Sequence, residues 1–315
     1  MASINNTDYI VSGSKDKTIK IWNYKTGILF QNLTGHSYDV LSVASIPNTD
    51  YIISGSADKT VKIWNYQTGK FWKFLFEASD DISIYSVASI INKDYIAFGT
   101  KGKILIQNYK SGEWNNESAH SDWVTSVASI TNTDYIVSGS DDKTIKIWNY
   151  TSGALLKTLT GHKKSVKSVA SIPNTEYIVS GSDDYTIKIW NYVSGKLFNT
   201  LIGHSNSVIS VASIANTEFL VSGSNDSIIK IWNYKTGTLL GTLNEKSNCF
   251  ASIPNTTYIV SGSSDSVKIY VFQKCEDIIG SKTDTIKHSD WIGSVVSIPN
   301  TDYLITGNGT KIIKI

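Results

Sequence analysis

One segment recurs about eight times along this 315-residue chain, with a period close to 42 residues. The run K-I-W-N closes five of the copies, at Trp22, Trp64, Trp148, Trp190 and Trp232, with successive spacings of 42, 84, 42 and 42. The doubled interval holds a divergent copy, Ile104-Leu105-Ile106-Gln107-Asn108. A fixed period of this size specifies a solenoid, a propeller or an array, in which a unit buries its apolar surface only by stacking on its neighbours. The repetition predicts a single domain over residues 1–315, beginning and ending inside a unit.

Residues 34–75 serve as the type unit. Val40-Leu41-Ser42-Val43-Ala44-Ser45-Ile46 is a β-branched run ended by the turn Pro47-Asn48-Thr49-Asp50. Tyr51-Ile52-Ile53-Ser54 is a second strand, Gly55-Ser56-Ala57-Asp58 a tight turn, and Thr60-Val61-Lys62-Ile63-Trp64 a third strand. Asn65 to Gly69 turns again, and Lys70 to Leu75 completes an antiparallel meander of four. No stretch shows a helical period, so the fold class is all-β. Radial repetition of four-stranded sheets is one way such a chain buries both faces with few exposed edges.

Gly-His, then Ser-Gly-Ser, Asp and a closing Trp recur in this order, and together they resemble the WD40 repeat over essentially the whole chain. Gly35-His36, Gly161-His162 and Gly203-His204 carry the pair, while Ala119-His120 and Lys287-His288 keep the histidine alone. The family's closing Trp-Asp is Trp-Asn here. The resemblance implies a WD40-type β-propeller of about eight four-stranded repeats. Eight blades is the expected number and seven the alternative. In the seven-blade form, residues 292–315 would pair with the outer strand near 28–33 and displace 1–22.

Four sets of residues repeat at constant offsets: His36, Ser54, Asp58 and Trp64; His120, Ser138, Asp142 and Trp148; His162, Ser180, Asp184 and Trp190; His204, Ser222, Asp226 and Trp232. Their first three members imitate a Ser-His-Asp hydrolase triad. Four equivalent active sites around one ring, none with a nucleophile-elbow context, make that reading untenable. The resemblance implies instead buried hydrogen-bonded tetrads that tie an outer turn to the third strand. All five histidines of the chain occupy this one position, leaving none for general base work or a metal. The chain is therefore expected not to be an enzyme, and to need neither cofactor nor metal. The third unit has lost its tetrad, with Asp80, Phe98 and Gln107 at the His, Ser and Trp positions. The lysines inside the third strands (Lys20, Lys62, Lys146, Lys188, Lys230) recur as framework, with packed stems and ammoniums expected to reach solvent.

Composition narrows the partners. All 29 cations are lysine, and the net charge is +2. Without the arginine fork that reads guanine edges, sequence-specific nucleic-acid recognition is not expected. No apolar run approaches the roughly 18 residues of a spanning helix, so membrane insertion is not expected. The N-terminus has no secretory pattern, and only two cysteines occur, Cys249 and Cys275. Both point to a reducing, intracellular setting, cytoplasmic with the nucleus as alternative.

Variation concentrates in the segment after each histidine. It includes Tyr38 and Asp39, Asp122 and Trp123, Lys163 and Lys164, Asn206, and Asp290 with Trp291; Tyr85 joins them from the divergent unit. By resemblance, this segment lines the propeller face where WD40 proteins bind peptides. Trp123 and Trp291 would either anchor a partner or pack on the neighbouring blade, and Asp141 and Asp183 would supply charge selection. The expected function is a non-catalytic scaffold or adaptor for protein or peptide partners, with no small-molecule substrate. The alternatives are a substrate-receptor module of a larger ubiquitin-ligase or signalling protein, and a propeller enzyme.

Overall fold

The computed structural model describes residues 2–4, 7, 9–23, 28–77, 83–90, 93–214, 217–244, 249–252, 258–262, 266–271 and 286–287. Every regular element among them is a β-strand. In the type unit the strands are Val40–Ser45, Tyr51–Ser56, Thr60–Asn65 and Lys70–Glu77, antiparallel and adjacent in chain order. The same meander is built by residues 2–33, 166–202, 208–243 and 249–287. Two further meanders are fused into one seven-stranded sheet, so seven four-stranded units stand among the described residues. Asp290, Trp291, His288 and the rest of the expected eighth unit lie outside them, as does Asp80.

Ile28–Leu33 pairs with Ile19–Asn23 in the first sheet, beside Tyr9–Gly13 and Ala2–Ser3. The N-terminal residues thus hold the place that the seven-blade scheme assigned to 292–315. The fused sheet departs from the expectation of separate units. Trp114–Ser129 is one strand that pairs first with Lys101–Asn108 and then with Tyr135–Ser140. Its cause is a shortened turn, Lys101-Gly102, closed by Thr100 N–H donating to the Lys103 carbonyl at 3.0 Å. Lys101 then sits opposite Trp123, and pairing continues where the other units break into a loop.

The core lies between sheets. Ile172, Val179, Ile187, Ile189 and Leu201 of one sheet pack against Val208, Val211, Leu220, Trp232 and Tyr234 of the next, and the same assembly recurs along the chain. Glycine permits the close approach. A Cβ at Gly181 would lie 2.7 Å from Val208 Cγ1, and Gly13, Gly55, Gly99 and Gly139 face the next unit just as tightly. The inner strands are also stitched together. Val87, Val127, Val169 and Val211 each donate a backbone N–H to the serine hydroxyl of the preceding inner strand, at 3.1, 3.0, 3.1 and 3.2 Å, those serines being Ser42, Ser86, Ser126 and Ser168. All of this is consistent with a β-propeller.

Candidate functional site

Antiparallel strands bring two turns of each unit to the same end: the segment carrying the histidine and the turn before the third strand. In the type unit, His36 Nδ1 lies 2.7 Å from Asp58 Oδ2 and Nε2 lies 2.7 Å from Ser54 Oγ. Trp64 Nε1–H donates to the same Ser54 Oγ at 2.8 Å. The other three sets close in the same way. His120 reaches Asp142 and Ser138 at 2.8 and 2.9 Å, His162 reaches Asp184 and Ser180 at 2.9 and 2.8 Å, and His204 reaches Asp226 and Ser222 at 2.8 Å each. Trp148, Trp190 and Trp232 complete them at 3.0, 2.9 and 2.9 Å. The aspartate also accepts backbone N–H groups from both turns, such as Ser37 and Thr60 onto Asp58.

Glycine before the histidine has a steric cause. Gly161 has φ +148°, and a Cβ there would stand 3.1 Å from Trp190 Cη2. The four tetrad serines are wholly buried, so these sets present no nucleophile to a substrate. The first unit keeps Trp22 donating to Ser12 at 3.2 Å, with Asp16 held by Lys20. In the third unit Phe98 packs on Phe76 and Trp114, and the buried Gln107 Oε1 has no hydrogen-bond partner in the structure.

Burial disfavours the imidazolium and pushes His36, His120 and His204 below the ordinary histidine value, although Asp58, Asp142 and Asp226 oppose this. Each ring is thus neutral near pH 7, donating from Nδ1 to the carboxylate and accepting at Nε2. Burial alone would raise the Asp58 carboxyl, but hydrogen bonds from Thr60, His36 and Ser37 hold it at about 2. Both shifts are downward, so the unfolded chain binds more protons on the acid side. Stability should hold above the histidine value of 6.5, decline as pH falls below it, and decline again below the aspartate value of 3.8 towards 2. Chemical denaturation at pH 7.5, 5.5 and 3.5 checks this: equal midpoints at the first two would contradict neutral buried rings.

The third-strand lysines differ from expectation. Lys62 is buried, and its ammonium turns inward to donate to the Gly35 carbonyl at 2.6 Å, 3.5 Å from Asp58. Lys20 turns the same way onto Asp16 at 3.1 Å, and Lys20 and Lys230 are buried as well, so three of the five ammoniums do not reach out as expected. Lys146 and Lys188 donate to Thr158 and Thr200 at 3.3 and 3.1 Å, whereas the position facing Lys62 is Phe74.

Around the tetrads, Tyr38 is 61% and Tyr85 45% exposed. Trp123 is half-buried, edge-on to the Tyr85 ring of the neighbouring unit at 5.2 Å, with Lys101 over its face. Asp39 and Asp122 are half-buried, and Asp122 Oδ1 accepts the Trp123 N–H. Lys163, Lys164 and Asn206 are exposed; Lys164 Nζ sits 5.0 Å over the Tyr185 ring, and Asn206 Oδ1 accepts the Ser207 N–H. Asp141 and Asp183 are already engaged, gripping Lys167 at 2.6 and 3.4 Å across two sheets. No cluster of metal-ligating side chains occurs among the described residues.

Sequence reasoning missed an aromatic ridge on one outer strand, where Phe71, Trp72 and Phe74 are 44%, 41% and 55% exposed. The signal was available: Phe74 stands where other outer strands carry Thr158, Thr200 and Thr242.

The WD domain, G-beta repeat family model matches residues 1–23, 27–65, 115–149, 153–191 and 195–233, together more than half of the chain. The chain belongs to the WD40-repeat family, whose domains generally mediate protein–protein interaction and are generally non-catalytic. The model skips residues 66–114, which include most of the unit without a tetrad. No curated protein matches the chain.

Proposed function

We propose that this chain is a non-catalytic scaffold or adaptor that docks protein or peptide partners on the end of the sheets bearing the histidines. The observation that carries the reading is the Tyr85–Trp123 pair. It is a surface aromatic pair contributed by two adjacent units, beside the inner strands, with Trp123 next to the His120–Asp142 tetrad turn of its own unit. Rigid aromatic anchors of this kind dominate protein interfaces, because they contribute large contact area at low entropic cost. Tyr38, Lys163, Lys164 and Asn206 extend the same end around neighbouring units. The scarcity of cysteine supports an intracellular setting.

The combined variant Tyr85→Ala/Trp123→Ala is expected to weaken partner retention by at least 30-fold, about 2 kcal/mol. Its unfolding midpoint should stay close to wild type, since both rings are at least partly exposed. Affinity measurement beside a denaturation curve checks this; retained binding with an unchanged fold would remove the pair from the docking face.

A further inference from the structure

The turns at the histidine end carry a conformational cost that the rest of the chain avoids. At the opposite end, left-handed backbone positions are occupied by Asn48, Asn132 and Asn174, or by Gly69, Gly112, Gly153, Gly195 and Gly237. These are the residues that enter that region most easily. In the turns before the third strands, the corresponding residues are Lys17, Lys59, Lys143, Tyr185 and Ser227, with φ between 65° and 72°. The divergent third unit uses Gly102 in its own turn, so glycine is accepted at this end. Strain kept where a costless residue fits points to a use for the side chain.

Three of the five side chains are ammoniums, and they lie among others. Lys101, Lys163 and Lys164 are exposed at the same end, and Lys17, Lys101 and Lys164 each sit over an aromatic ring, those of Tyr38, Trp123 and Tyr185. The local carboxylates are largely spent. Asp141 and Asp183 hold Lys167, and the tetrad aspartates are bonded to histidine and backbone. These three lysine–aromatic pairs, with exposed Lys143 and Lys163 beside them, suit a segment that alternates carboxylates with apolar or aromatic side chains, a cation meeting an anion while a ring is covered.

We propose that the partner segment docked on this end is acidic, and that Lys17 and Lys143, both exposed, are retained at strained turn positions to bind its carboxylates. This rests on the docking face proposed above. Removing the lysines as Lys17→Gly/Lys143→Gly should therefore move two quantities in opposite directions. The melting temperature should rise by about 2–5 °C as the strain is relieved. Affinity for a fluorescein-labelled deca-glutamate peptide, read by anisotropy, should fall about tenfold, with a shallower salt dependence. Lys196→Gln, exposed at the opposite end, should change neither. Undiminished peptide binding, or a melting temperature that does not rise, overturns the proposal, as does tighter binding of a deca-lysine peptide or of a ten-nucleotide single strand. If the glycine variant binds like wild type while Tyr85→Ala/Trp123→Ala does not, the docking face stands and only its acidic specificity falls.

Discussion

Gly181→Val should cost about 3 kcal/mol of stability. The interface between adjacent sheets is closed by backbone contact at this position. Even a methyl would lie 2.7 Å from Val208 Cγ1, 3.0 Å from Val211 Cγ1 and 3.2 Å from the Val208 carbonyl. Val208 and Val211 cannot retreat, because both are buried and the Val211 N–H is tied to Ser168. The neighbouring sheet must therefore move as a body, stretching the inner-strand stitching on either side. A urea midpoint measured with the slope unchanged isolates this loss. A change below about 0.5 kcal/mol would mean that the sheets do not approach as closely as the glycines indicate.

Ser180→Ala should cost about 2–4 kcal/mol, although it deletes a single oxygen. That oxygen serves two buried groups, accepting from Trp190 Nε1 at 2.9 Å and donating to His162 Nε2 at 2.8 Å. Both lose their partner at once, in a site where water does not enter. The third unit makes the comparison informative. There the serine position is Phe98 and the tryptophan position Gln107, and Trp114 and Phe76 fill the space with apolar contact. Phe98 needs no hydrogen-bond partner, although Gln107 Oε1 is left without one, whereas Ser180→Ala takes a partner from both Trp190 and His162. Equal midpoints for Ser180→Ala and wild type would show that the tetrad does not stabilise its unit.

How much of this was legible in the sequence follows from the range of each interaction. The four-stranded meander is local. Turn residues such as Pro47-Asn48 and the alternation of Thr60 to Trp64 fix it within one unit, and the 42-residue period repeats it. The members of each tetrad were legible because a network repeated four times leaves constant offsets, although the sequence alone does not say which nitrogen meets which oxygen. The fused strand Trp114–Ser129 was not, since it depends on a turn shortened by one residue some distance upstream. The fate of Trp123 was open for a related reason: its neighbour Tyr85 is in another unit, and no sequence spacing sets the angle between sheets. The inward turns of Lys20 and Lys62 onto Asp16 and Asp58 were not legible, because they depend on where each turn aspartate and outer-strand neighbour stands once the register is known.

The most direct test of the docking face places a photo-crosslinking amino acid at Tyr38, 61% exposed at the histidine end, or at Val193, 52% exposed at the opposite end. The two variants are then compared in cells, with the crosslinked product identified and sized. A partner adduct from position 38 and none from position 193 is the predicted result. Adducts from position 193 alone would contradict the assignment and move the interaction to the other end of the sheets.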